Sequence, residues 1–214
     1  MSAYAAVVLD MDSTVAFVEG IDWLARRCDP AVARDIASLT SRAMDGELAL
    51  DDIYGERLAL IRPDQAEIEE LALLYERSLA PGAARSIERL RDDGVKLAIV
   101  SGGIRQAILP AARKLGFVDG EVRAVEVYFD SNGGYAGFDD KTPLITQHGK
   151  AEVVRELALP RPILAVGDGS TDAALLPVVD TFAAFTGFVR RETVVAVADC
   201  ELHSFDELLD LVLT

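Results

Sequence analysis

Short apolar runs that end abruptly in polar residues recur along this 214-residue chain. Ala5-Ala-Val-Val-Leu9 stops at Asp10, Val95-Lys-Leu-Ala-Ile-Val100 at Ser101, and Pro162-Ile-Leu-Ala-Val-Gly167 at Asp168. Runs of this length bounded by turn residues read as buried strands. Between Glu19 and about Leu79 the period changes to helical, with apolar residues at Ile21, Leu24, Ala25, Ile36, Leu39, Ile53, Leu58, Ile61, Ile68, Leu71 and Leu74. About four helices are predicted there, separated at Asp29-Pro30, Asp45-Gly46 and Arg62-Pro63. Strand-type sequence resumes after Pro81-Gly82, so the helical stretch is an insertion.

The remainder alternates. Ala83 to Asp93 is predicted helical and ended by Gly94. Ser101-Gly102-Gly103 is expected to open a helix over Ile104 to Leu115, kinked or divided at Pro110. Val122 to Tyr128 and Tyr135 to Phe138 flank Asn132-Gly133 and predict an antiparallel hairpin. Gly149 to Leu157 reads as helix and Thr181 to Phe185 as strand. A helix from about Val189, a short strand near Glu201 and a helix opened by the capping box Ser204-x-x-Glu207 follow. The predicted fold is α/β, a Rossmann-like, mostly parallel sheet with helices on both faces, a helical-bundle insert and a small hairpin. The core is expected over 1–16 and 80–214, with the insert over 17–79 as a helical cap.

Charge narrows the classes. Thirty-six acidic against 21 basic residues leave a net charge of −15, with no Lys/Arg-rich run, which argues against nucleic acid or an anionic membrane surface as partner. Cys28 and Cys200 stand alone, which fits small apolar filler and a reducing cytoplasm. No signal peptide is visible, and no run approaches the roughly 20 apolar residues of a spanning helix.

Parallel sheets place their sites at the carboxyl ends of their strands, and the polar clusters sit there. Asp10 and Asp12 are two apart, so in extended backbone both side chains leave from one face. Two carboxylates about 4 Å apart repel by roughly 4 kcal/mol at an effective dielectric of 20. Such a pair shares a proton or holds a cation. Asp10 and Asp168 offer the hard oxygens that Mg2+ prefers, Ser101 with the amides of Gly102 and Gly103 suits phosphate oxygens, and Lys150 offsets charge on a transferring phosphoryl group. Asp12 is left to carry a proton.

Asp10-Met-Asp-Ser-Thr14, Ser101-Gly102, Lys150 and Gly167-Asp-Gly-x-Thr-Asp172, in this order, resemble the four motifs of the haloacid dehalogenase superfamily. Within it the chain is most similar to the phosphoserine phosphatases, through Val18-Glu-Gly-Ile-Asp22, Arg42-Ala-Met-Asp-Gly46, Glu56-Arg-Leu-Ala-Leu-Ile61, Pro81-Gly-Ala83, Val100-Ser-Gly-Gly103 and Tyr135-Ala-Gly-Phe138. The resemblance implies an Mg2+-dependent phosphatase that hydrolyses O-phosphoserine through an aspartyl-phosphate, the last step of serine biosynthesis. It implies Asp10 as nucleophile and Asp12 as general acid and base. Mg2+ would be held by Asp10, the Asp12 carbonyl and Asp168, with Asp172 supporting the metal shell. Ser101, Gly102 and Lys150 would grip phosphate with Thr171 nearby, Glu19 would meet the substrate ammonium, Arg57 its carboxylate, and Met44 would line the pocket. Where the family usually carries an aromatic residue in the cap, this chain has Leu50.

Rival readings share the residues. A phosphotransferase, or a phosphatase of another small phosphorylated metabolite, would use the same set. A receiver-like signalling domain would use the acids, the hydroxyl and the lysine, but not a cap of about 60 residues. His148 reads as a surface loop residue and Trp23 as core.

Overall fold

The computed structural model describes residues 2–45, 47 and 53–213, without the side chains of residues 43 and 44. In chain order the elements are β1 (Ala6–Leu9), α1 (Gly20–Ala25), α2 (Pro30–Met44), α3 (Tyr54–Ile61), α4 (Gln65–Arg77), α5 (Ala83–Asp92), β2 (Lys96–Ile104), α6 (Arg105–Lys114) and β3 (Val122–Val125). They continue with β4 (Val127–Phe129), β5 (Tyr135–Phe138), α7 (Gly149–Glu156), β6 (Ile163–Gly167), α8 (Ser170–Ala173), β7 (Thr181–Phe185), α9 (Glu192–Val195), β8 (Cys200–Leu202) and α10 (Phe205–Val212). The predicted α/β class holds: six parallel strands run in the order β3-β2-β1-β6-β7-β8, and β4-β5 form a separate antiparallel pair.

The middle strands are apolar on both faces because helices cover both. Every residue of β1 and β6 is buried. The register fixes what happens at their ends. Leu9 lies opposite Ile99 on one side and Val166 on the other, so Asp10, Ser101 and Asp168 emerge side by side at one edge. No described helix is long and apolar enough to cross a membrane.

The helices α1–α4 lie between β1 and α5, joined to the sheet by a two-stranded neck. Phe17 N–H donates to Ser78 O and Ala80 N–H to Val15 O, both at 2.8 Å, around an antiparallel bridge between Ala16 and Leu79. The expected breaks have local causes. Arg62 adopts a left-handed conformation (φ 49°) ahead of Pro63, and Asp64 opens α4 with a reciprocal capping box to Glu67. The break at Gly46 and the residue Leu50 lie outside the described residues.

Four local expectations are corrected. First, Ser101-Gly102-Gly103 does not open a helix. β2 continues through Ile104, which pairs with Val125 after a register shift, and α6 begins at Arg105. Second, α6 is not divided at Pro110 but passes through it as one helix, where the buried stripe Ala107, Ile108, Ala111 and Ala112 holds it across the missing hydrogen bond. Third, Val122 to Tyr128 is not one hairpin strand, since Val122–Val125 joins the parallel sheet and only Val127–Phe129 pairs with β5. Fourth, the helix expected from Val189 is one turn starting at Glu192. At α10, Ser204 caps the helix as expected, but the Glu207 carboxylate accepts from His203 N–H, one residue earlier than a reciprocal box requires.

Candidate active site

One cleft runs between the carboxyl edge of β1, β2 and β6 and the helices α1–α3. It is lined by Asp10, Asp12, Glu19, Ile21, Asp22, Thr40, Tyr54, Arg57, Ser101, Gly102, Gly103, Leu144, Lys150, Asp168 and Thr171. Of the residues singled out in the sequence, Asp172 lies just behind this wall, and the Met44 side chain lies outside the described residues.

On the sheet side, Lys150 Nζ donates to Asp10 Oδ1 at 2.7 Å and to Asp172 Oδ1 at 2.6 Å, with all three side chains buried. Burial alone would lower the lysine, but the two carboxylates outweigh it and hold Lys150 above its ordinary value. Asp172 is raised to about 6, by burial first, with Lys150 opposing. Asp168 stands well above the usual carboxylate range because it is buried and faces Glu19, Asp10 and Asp172. Oxygens of Asp10, Asp168 and Asp172 lie within 4.8 Å of one another. Three buried carboxylates this close together are a donor set a hard divalent cation fits. Gly167 makes the crowding feasible, since a Cβ there would stand 2.2 Å from the Asp172 carboxyl carbon. Ser101, Gly102 and Gly103 all line the cleft, with Gly103 N–H donating to Ser101 Oγ at 3.0 Å.

Asp12 occupies the border between sheet and helices. The strand stops at Leu9 and the chain turns at Met11, yet Asp10 and Asp12 line the same cleft. Gly20 N–H donates to Asp12 Oδ2 at 2.9 Å and Tyr75 Oη to Oδ1 at 2.5 Å. Burial and the adjacent Asp10 charge nonetheless raise Asp12 to about 7.

On the helical side, Glu19 precedes α1, accepts from Ser13 Oγ at 2.7 Å, and is raised to about 8 by burial and Asp12. Arg57 is 2% exposed; its Nη1 donates to Thr40 Oγ1 at 2.7 Å, and Thr40 Oγ1 donates to Asp22 Oδ1 at 2.7 Å. Arg57 Nε–H finds no acceptor among the described residues. A buried open N–H costs about 1–3 kcal/mol, and Arg57 lines the cleft, where a guanidinium suits an anion.

Three groups escaped the sequence reading. Tyr54 and Tyr75 sit within apolar helical stripes, where a tyrosine reads as core; Tyr54 Oη donates to Gly102 O at 2.7 Å. Arg191, just ahead of α9, reaches Asp168 at 3.1 Å, Glu19 at 3.5 Å and Asp45 at 3.7 Å. Nothing local marks it. His148 is exposed, as expected, and Trp23 is partly buried beneath Arg27, 4.3 Å from its ring centre.

Comparison with known proteins follows the same lines. The model of the haloacid dehalogenase-like hydrolase family matches residues 4–179. A phosphoserine phosphatase of Mus musculus is 37% identical over 207 residues, covering 95% of this chain and 91% of that one. Its Homo sapiens counterpart is 36% identical with the same coverage. Among solved structures, a phosphoserine phosphohydrolase-like protein of Francisella tularensis superposes with a TM-score of 0.88 at 25% identity, over 96% of this chain and 98% of that one.

Proposed function

The chain belongs to the haloacid dehalogenase-like hydrolases, and from that premise we propose that it is an Mg2+-dependent phosphatase converting O-phosphoserine to serine and phosphate. The observation that carries the reading is one cleft lined by both the carboxylates Asp10 and Asp12 and the guanidinium-bearing Arg57. The first pair serves phosphoryl chemistry, and the second feature serves an amino acid's carboxylate.

In this reading an Asp10 carboxylate oxygen attacks phosphorus as the bond to the seryl oxygen breaks. Asp12, protonated near neutrality, gives its proton to that oxygen. Water then gives a proton to Asp12 and its oxygen to phosphorus, and the bond to Asp10 breaks, which restores both carboxyl groups. Lys150 holds Asp10 by a 2.7 Å hydrogen bond and, with Ser101 and Gly102, faces the phosphoryl oxygens. Thr171 lines the same side. Asp10, Asp168 and the Asp12 carbonyl would hold Mg2+, supported by Asp172; a bound Mg2+ supplies charge neutralisation for the phosphoryl group. Glu19 meets the substrate ammonium and Arg57 the carboxylate, the latter bidentately. Met44 belongs to this pocket in the same reading. The proposal extends to a core of 1–16 and 80–214 with a cap of 17–79, and to a cytoplasmic place at the last step of serine biosynthesis.

A phosphate-release panel of small phosphorylated metabolites, with and without Mg2+, tests the reading. O-phosphoserine is expected to lead the panel and to need the metal. Equal turnover across the panel overturns the substrate assignment, and transfer to an added alcohol in preference to water overturns hydrolysis.

A further inference from the structure

The mechanism above gives Asp12 a proton to deliver and reclaim but leaves its orientation unexplained. A carboxyl group turns broadly about its last torsion, so proton delivery to a fixed oxygen needs that rotation stopped. Two donors meet Asp12, one on each oxygen: Gly20 N–H on Oδ2 at 2.9 Å and Tyr75 Oη on Oδ1 at 2.5 Å. Both belong to the helical insert, Gly20 opening α1 and Tyr75 lying near the end of α4. An ionised carboxylate offers about four lone-pair sites, so one bond on each oxygen leaves capacity on both for the travelling proton.

Tyr75 is itself placed by its surroundings. It is 0% exposed, and Ser78 N–H donates to its carbonyl at 3.2 Å, the same Ser78 whose carbonyl accepts from Phe17 in the neck. A Cβ on Gly20 would stand 2.4 Å from Tyr75 Oη. The absent side chain at 20 is thus what admits the hydroxyl to the carboxylate.

We propose that Tyr75 is a positioning residue which, with the Gly20 amide, clamps the Asp12 carboxyl in the orientation that proton transfer to the leaving oxygen requires. This rests on the phosphoserine reading for its reaction but not for its contact. Through it, the helical insert acts on the chemical step as well as on substrate recognition.

The experiment is a double-mutant cycle between Tyr75→Phe and Asp12→Asn, read in two ways. With O-phosphoserine, Y75F is expected to lower kcat about tenfold to a hundredfold while KM and inhibition by inorganic phosphate change less than about twofold. In the D12N background the same substitution is expected to cost kcat nothing further. In thermal melts the two substitutions are expected to be non-additive. Gly20→Ala, which drives the hydroxyl away from the other side, is expected to reproduce the kcat loss of Y75F. The proposal is overturned if kcat falls equally in both backgrounds, if kcat, KM and phosphate inhibition move together, or if the melts are additive. Should the wild type release no phosphate from O-phosphoserine, the substrate reading fails, and the melting cycle still decides the clamp.

Discussion

The two walls of the cleft are built on different terms. On the sheet wall, charged groups pair with one another: Lys150 lies between Asp10 and Asp172, Arg191 reaches Asp168, and strand register places Asp10 beside the ends of β2 and β6. On the helical wall, Arg57 and Asp22 are linked through one hydroxyl, and the guanidinium keeps an unused N–H. A wall of paired charges around an acidic cluster suits a reaction common to many substrates. A wall left incomplete suits recognition of one, because its missing partner must be brought by the ligand. In the proposed reading the sheet edge carries the reaction and the insert the recognition, and the two meet where Gly20 and Tyr75 hold Asp12.

Substitutions should separate the two walls. The largest effect is expected from Asp10→Asn, which removes the proposed nucleophile: phosphate release should fall by about four to six orders of magnitude while substrate still binds. Asp12→Asn is expected to cost about two to four orders of magnitude in turnover, the scale of a lost general acid and base. Unchanged turnover in either would break the assignment of the sheet edge. Arg57→Ala should lower kcat/KM for O-phosphoserine about tenfold to a hundredfold, chiefly through KM, the scale of one charged hydrogen bond. Phosphoethanolamine, which has the ammonium but no carboxylate, should be nearly indifferent to it. If both substrates suffer equally, the division between walls is wrong.

The smallest effect concerns pH. Burial raises Asp12 to about 7, Glu19 to about 8 and Asp172 to about 6. Groups whose folded pKa lies above the unfolded value leave the native state holding more protons than the unfolded one between those values. Stability is therefore full below about pH 4 and is lost as pH rises through about 8. Without metal, the thermal midpoint should fall across that window. A loss of about 1 kcal/mol moves a chain of this size by about 2–4 °C. Added Mg2+ should recover the loss most at the alkaline end, where the carboxylates are free to bind it. A midpoint that rises with pH would refute the crowding of acids inferred from the cleft.

How much of this was readable in the chain follows from where the signals are local. Asp10, Ser101 and Asp168 each terminate an apolar run, and sheets of this kind display such termini together, so the reactive edge was legible without coordinates. The helices of the insert were legible from their stripes and from Pro30 and Pro63. Partnership was not. The alternation of Val122 to Tyr128 slips in phase at Ala124-Val125, but a slip names no partner, so it did not tell that the chain changes sheet at exposed Glu126. Two glycines after Ser101 suggest a turn, but the register shift beside β3 lets the strand continue. Arg191 carries no mark at all, since two adjacent arginines before a one-turn helix read alike, and only Arg190 is the surface residue. Tyr75 was hidden by its own burial, because a tyrosine in an apolar stripe gives no sign that its hydroxyl ends on an acid.

The neck holds a consequence for how such a chain could diversify. Val15 and Ala80 are already hydrogen-bonded neighbours, so everything from Phe17 to Ser78 enters and leaves through a single doorway. Whatever replaced those residues, from a short loop to a different set of helices, would meet the same two chain ends at the same separation. The strand termini beneath would keep their acids and lysine, but with their roof exchanged. Exchange of this module would change what the cleft admits while the acids and the lysine stayed in place, provided that the new roof again met Asp12.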